Sequence, residues 1–174
     1  MDPVYLALGS NLGDREAYLR SAIQGLIERQ INVVRCASVY STEPLEVLNQ
    51  PWFLNTVIEA ETALAPQELL NVCLQIEKEN DRTRESVKGP RTIDIDIIFY
   101  GQEVIRNPGL TIPHPSFSNR RFVLVPLAEI APDFVDPRSG KSVLQLLEAC
   151  ADSSIVTPVS AAPIFSRPFR SEPL

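Results

Sequence analysis

Apolar positions along the chain alternate between two periods, one suited to strands and one to helices. Val4 to Leu8 is a short apolar run that ends in Gly9-Ser10-Asn11-Leu12-Gly13-Asp14, after which Leu19, Ala22, Ile23 and Leu26 recur at helical spacing. That predicts strand, turn and helix, with Asp14 as N-cap. Ile31 to Tyr40, rich in β-branched residues, predicts a second strand, and Leu54 to Glu61 a third, with Asn55, Val57 and Glu59 on one face. Ala65-Pro66 opens a helix to about Asn80, with Leu70, Cys73, Leu74 and Glu77 along its stripe. Ile93 to Gly101 is the fourth strand. Val123 to Ile130 predicts a helix despite Pro126, followed by a short strand near Phe134-Val135 and a last helix from Ser142 to Cys150.

The order β-α-β-β-α-β is that of a ferredoxin-like α+β fold: a mainly antiparallel sheet, helices packed on it, and the other face left for loops and ligands. A chain of 174 residues with 44% apolar content fits one domain. Residues 1–152 carry the patterned part. Residues 153–174 hold Pro158, Pro163, Pro168 and Pro173 without periodicity and read as a disordered or loosely packed tail.

Composition narrows the chemistry. No run approaches the roughly 18 apolar residues of a membrane span, and Met1-Asp2-Pro3 lacks the start of a signal peptide, so a soluble, cytoplasmic protein is expected, with no membrane partner. Cys36, Cys73 and Cys150 match neither a disulfide framework nor a zinc pattern and read as reduced packing residues. A net charge of −6 argues against nucleic acid as a partner. Yet Arg82, Arg84, Lys88 and Arg91 cluster within one segment and Arg120-Arg121 form a second pair, a distribution suited to a small polyphosphate.

These cations lie beside the most telling stretch, Gly89-Pro90-Arg91-Thr92-Ile93-Asp94-Ile95-Asp96-Ile97-Ile98-Phe99-Tyr100-Gly101. In a regular strand Ile93, Ile95, Ile97 and Phe99 point one way while Asp94 and Asp96 point the other, the two carboxylates about 6–7 Å apart along the strand. Magnesium suits such a pair, because it takes carboxylate oxygens together with phosphate and water oxygens. The competing reading is a solvated amphipathic strand, but here the acids give way to Ile98 and Tyr100 on the same face.

Other candidates are weaker taken singly. Gly9 and Gly13 fit neither common phosphate-loop spacing and read as structural. The stretch Ser41 to Phe53, with Pro44 and Pro51 and the apolar Leu45, Val47, Leu48, Trp52 and Phe53, reads as a binding loop. Asn55 can pair with a heteroaromatic ring or cap backbone, and Glu77 is either a helix-end acid or an anchor for the basic loop that follows. His114, the single histidine, is framed by Pro113 and Pro115 and is either structural or a phosphate contact.

Together, Leu8-Gly9-Ser10-Asn11-Leu12-Gly13-Asp14, Tyr40-Ser41-Thr42-Glu43-Pro44, Phe53-Leu54-Asn55, Gly89 to Asp96, Pro113-His114-Pro115 and Asn119-Arg120-Arg121-Phe122 resemble the 6-hydroxymethyl-7,8-dihydropterin pyrophosphokinase family over about residues 4 to 147. The resemblance implies transfer of diphosphate from ATP to the pterin hydroxymethyl group in folate biosynthesis. It implies that Asp94 and Asp96 bind two Mg2+ ions and that Arg82 and Arg91, with His114, stabilise the polyphosphate. It further implies nucleotide contacts from Glu77, Arg84, Ile97, Leu110, Thr111 and Arg120. Pterin contacts would come from Thr42, Glu43, Pro44, Leu45, Phe53, Asn55, Asp94 and Phe122. Lys88 stands where some members carry a lid aromatic, Phe53 replaces a tyrosine, and Arg121 replaces a smaller residue. The implied partners are ATP and the pterin, with the chain a monomer open to association with folate-pathway enzymes and too short for a fused dihydropteroate synthase.

Two other classes are set against this: another magnesium-dependent nucleotidyl or phosphoryl transferase, which would not need Asn55 or the stacking phenylalanines, and a ferredoxin-like ligand-binding or RNA-binding module. The acidic balance and the absence of an RNP-type aromatic motif count against the module. The length and composition of the 43–53 and 82–91 loops predict lids that close over both substrates.

Overall fold

The computed structural model describes residues 1–45, 49–80, 92–159 and 164–165. β1 (Val4–Ser10), α1 (Arg15–Glu28), β2 (Ile31–Cys36), β3 (Tyr40–Thr42), β4 (Phe53–Thr62), α2 (Pro66–Asn80) and β5 (Asp94–Tyr100) follow in order. A small hairpin, β6 (Ile105–Asn107) and β7 (Leu110–Ile112), comes next, then α3 (Arg121–Ile130), α4 (Val143–Glu148) and β8 (Val156–Pro158). The main sheet runs β5-β1-β4-β3-β8, with β2 on the same side of β4 as β3. β5-β1-β4-β2 is the ferredoxin-like order expected from the sequence.

Helices cover both faces. Val4, Leu6 and Leu8 of β1 bury into one core with Leu19, Ile23 and Leu26 of α1 and Leu69, Cys73 and Ile76 of α2. Tyr5 turns the other way, into a second core with Phe99, Phe117 and the α3 residues Val123, Leu124 and Leu127. The second face is thus half roofed by α3 and α4 rather than left to loops. Its unroofed end holds the site.

Several local expectations change. The predicted strand from Ile31 to Tyr40 is two strands: Ala37 still donates its N–H to the Val57 carbonyl of β4 at 2.9 Å, but beyond it the Glu129 carboxylate accepts the Ser38 N–H at 2.6 Å and the Tyr40 hydroxyl at 2.5 Å. On α2 the buried stripe is Leu69, Cys73, Ile76 and Glu77, so Leu70 and Leu74 are rotated outward. In β5 the register against β1 slips between Tyr5 and Leu6, whose partners are Phe99 and Ile97, so Ile98 is an extra residue. This bulge puts Phe99 in the second core, not on the Ile93-Ile95-Ile97 face.

α3 begins at Arg121, two residues earlier than the sequence predicts, and continues through Pro126. α4 is shorter than predicted and opens on a capping box between Ser142 and Gln145; the strand expected at Phe134-Val135 is a single bridge from Val135 to Ser142. The tail gains structure that composition did not show. Val156–Pro158 pairs antiparallel with Tyr40–Thr42 and extends the sheet edge through backbone hydrogen bonds, for which side-chain periodicity is not needed. No helix among the described residues is long and apolar enough to cross a membrane.

Candidate active site

The strand registers place the site residues in rows. Asp94 lies opposite Gly9, and Gly9 opposite Asn55; one step along, Asp96 lies opposite Ala7, and Ala7 opposite Val57. Residues directly across an antiparallel sheet share a face, so Asp94, Asp96 and Asn55 all point to the unroofed end of the second face. Asp94 and Asn55 stand two strand spacings apart, roughly 9–10 Å at the usual separation. Only hydrogen atoms of Gly9 rise between them.

A cavity of about 610 Å³ opens over this floor. Among its lining residues are Thr42, Glu43, Pro44, Leu45, Phe53 and Asn55 on one side, Glu77, Asp94 and Asp96 on another, and His114, Arg120 and Phe122 on a third. All twelve are residues the sequence singled out. Leu70 and Leu74 also line it and were not foreseen, and Gln50 lines it from within the expected binding loop. Their signal was the outward turn of α2 and the anchoring of the binding loop: Asn11 donates to the Gln50 side chain at 2.9 Å and to the Pro51 carbonyl at 3.1 Å, and Arg15 donates to the Trp52 carbonyl at 2.8 Å. The polar residues of the opening Gly9–Asp14 turn and first helix therefore hold the loop.

Asn55 is buried, and its Nδ2 donates to Thr42 Oγ1 at 2.7 Å. An amide fixed at one N–H still offers a second N–H and a carbonyl, the donor-acceptor edge that a heteroaromatic ring can match. Phe53 and Phe122 line the same cavity, and the Arg120 guanidinium carbon lies 5.7 Å from the Phe122 ring centroid. A flat ring with polar edges suits such walls.

Glu77 is not a solvated helix-end acid. It is buried on α2, and its Oε2 accepts the Ile95 N–H at 3.0 Å, on the edge of β5 that faces away from β1. The bond locks the acid-bearing strand to the helix between the two aspartates. Cys73 lies nearby, its thiol pushed up to about 12 by burial and then by the charges of Glu77 and Asp96, so it is an inert packing residue.

His114 donates its backbone N–H to the Ile98 carbonyl at 3.0 Å, while its Nδ1 accepts the Ser116 N–H at 3.1 Å. With Nδ1 an acceptor, the neutral ring carries its proton on Nε2. Burial lowers its pKa to about 4, helped by the positive charges of Arg120 and Arg138. At neutral pH it is an uncharged donor.

No group of three or more His, Cys, Asp or Glu side chains among the described residues forms a metal cage. Two half-buried aspartates on one face of a cavity are instead the donor set of an ion that completes its shell with water and phosphate oxygens, and in that sense they fit magnesium. Ile97 and Leu110 turn into the first core, and with Thr111 they do not line the cavity. Arg82, Arg84 and Arg91, with Lys88 and the 82–91 loop, lie outside the described residues.

Comparison with known proteins is consistent across sequence and fold. Residues 5–132 match the family model described as 7,8-dihydro-6-hydroxymethylpterin-pyrophosphokinase. The 2-amino-4-hydroxy-6-hydroxymethyldihydropteridine pyrophosphokinase of Haemophilus influenzae is 40% identical over 157 residues, 90% of this chain and 98% of that one. The protein of that name from Synechocystis is 45% identical over 89% of this chain and 79% of its own. The folic acid synthesis protein fol1 of Pneumocystis carinii is 40% identical over 88% of this chain, which spans only 21% of that longer protein. Among solved structures, the wild-type HPPK-DHPS of Plasmodium falciparum shares the fold at a TM-score of 0.68 and 14% identity, over 85% of this chain and 44% of that one.

Proposed function

Because the chain belongs to the 7,8-dihydro-6-hydroxymethylpterin-pyrophosphokinase family, we propose that the cavity over Gly9 is where diphosphate passes from ATP to 6-hydroxymethyl-7,8-dihydropterin. The observation that carries this reading is the Asp94-Gly9-Asn55 row, which sets a metal-type carboxylate and a ring-reading amide on one floor. Residues 1–152 are read as the catalytic part and the segment from 153 as an extension of it.

The Asn55 amide, held by Thr42, reads the polar edge of the pterin, while Phe53 and Phe122 enclose its faces and Glu43, Pro44 and Leu45 form the neighbouring wall. Asp94 and Asp96 would hold two magnesium ions. When bound, these ions neutralise the triphosphate charge that would repel an incoming oxygen. Glu77 keeps the two aspartates in register by fixing the β5 backbone between them. His114 and Arg120 line the same cavity and are assigned the task of donating to phosphate oxygens, through Nε2–H and the guanidinium, as are Arg82, Arg84 and Arg91. With Ile97 and Leu110 buried, contacts from that stretch to the nucleotide are made by main chain rather than by those side chains.

Attack by the pterin oxygen on the β-phosphorus leaves AMP. Incubation with ATP, Mg2+ and 6-hydroxymethyl-7,8-dihydropterin, followed by chromatography, should yield AMP and the pterin diphosphate, and neither once the metal is chelated. ADP in place of AMP would mean simple phosphoryl transfer, and no turnover would remove the reading. The protein is proposed to act as a monomer in the cytoplasm, able to associate with other folate-pathway enzymes.

A further inference from the structure

Two walls of the cavity are joined by a short segment beyond the last helix. α3 begins beside the cavity, with Arg120 as its N-cap and Arg121 and Phe122 in its first turn. Arg120 has no side-chain acceptor to offer the orphan N–H groups there, and no cap hydrogen bond forms from it. The acceptor comes from far along the chain. Asp152 Oδ2 accepts the Arg121 N–H at 2.9 Å, while its Oδ1 accepts the Ser154 N–H at 2.9 Å and the Ser154 hydroxyl.

Three residues later the same segment reaches the opposite wall. Glu43 Oε1 accepts the Ile155 N–H at 2.7 Å, and the Glu43 N–H donates back to the Ile155 carbonyl at 3.3 Å. Val156 then pairs with Thr42, whose hydroxyl holds Asn55. Burial pushes the Asp152 carboxyl up, but the bonds from Ser154 and Arg121 outweigh it and hold it below the ordinary carboxylate value.

We infer that Asp152 is a positioning residue, and that the 152–155 segment is a strap setting the distance between the Phe122 wall and the Glu43-Thr42-Asn55 wall. The inference rests on the reading of this cavity as the pterin site. It gives the extension a task in substrate binding: the ring slot stays at one width because a single carboxylate ties the α3 N-terminus to the segment that grips Glu43. Asp152 does not line the cavity, so it acts through the residues that do.

The test compares Asp152→Ala and Asp152→Asn with the unaltered chain, measuring KM for pterin and for ATP separately, kcat, and the melting temperature. Turnover by the unaltered chain tests the reading of the cavity by itself. In Asp152→Ala the pterin KM should rise roughly tenfold, the worth of one charge-assisted hydrogen bond, with a smaller change in the ATP KM. Asp152→Asn keeps one oxygen acceptor and sets a donor NH2 in place of the other, so it can hold the Arg121 N–H or Ser154 but not both, and should recover only part of that loss. A pterin KM within twofold of the unaltered chain in Asp152→Ala overturns the strap, as does an alanine variant that melts earlier but binds pterin normally. Equal rises in both KM values would also overturn it, because they would show a general loosening.

Discussion

A β-carbon built on Gly9 would lie 2.4 Å from Oδ1 of Asn55, closer than real contacts allow. Gly9 therefore has no left-handed backbone to explain it. It is small because the amide of the facing strand occupies the space above it.

Gly9→Ala must push Asn55 away from its bond to Thr42 or shift β1 against β4. Overpacking of this kind costs about 1–3 kcal/mol, so a lower melting temperature is expected. The pterin KM should rise by roughly tenfold or more, since displaced polar contacts to a ligand are worth about that. Steady-state kinetics with each substrate varied in turn would check this, and an unchanged pterin KM would show that the amide does not read the ring.

Asp94→Ala and Asp96→Ala should each remove magnesium-dependent turnover by at least about a hundredfold, the scale of losing an electrostatic contact in the transition state. Both side chains face the cavity and neither belongs to the apolar cores, so circular dichroism and melting should stay near those of the parent. Retained activity in both variants would remove the metal assignment.

Glu77→Ala leaves the Ile95 N–H without its carboxylate in a buried place, which costs about 1–3 kcal/mol. Glu77→Gln keeps an oxygen acceptor and should cost less. Because the bond lies between the aspartates, activity should fall further than stability explains, and raising the magnesium concentration should recover part of it. Urea unfolding alongside a magnesium titration separates the two effects.

The single histidine makes a clean pH test. Its ring signals should titrate near 4, well below the ordinary value of 6.5. Native His114 binds fewer protons than the unfolded chain between those values, so its contribution to stability is complete above about 6.5 and is lost as pH falls towards 4. Replacement by Gln should flatten that part of the stability profile. Arg120→Ala should move the ring titration upward, and more than Arg138→Ala does, following the order of their effects. A histidine titrating at its ordinary value would show the ring to be solvated.

What the sequence showed and what it hid separate along physical lines. The β5 acids were legible because Asp94 and Asp96 alternate with isoleucines and then give way to Ile98 on the same face, beside a cluster of cations. The bulge one turn of pleat further on was hidden, since Ile98 and Phe99 are apolar and suit either face. α2 was legible as a helix but its inward stripe was not, because Leu69, Leu70, Leu74 and Ile76 offer two apolar stripes and only packing against the sheet chooses between them. The break between β2 and β3 depends on Glu129, some ninety positions away. β8 is three residues of backbone pairing, and Asp152 caps a helix to which it does not belong in sequence.

The extra residue at Ile98 has a bearing on how this chain tolerates change. It divides β5 into two lengths of opposite alternation and returns Phe99 to the face that carries the two aspartates. The aromatic core beneath α3 and the acid end of the strand consequently share one face of the sheet. Removing Ile98 would leave Phe99 opposite Tyr5 and the aspartates opposite Ala7 and Gly9 in one unbroken register, so a chain shortened there should keep both the buried ring and the acid pair on one face.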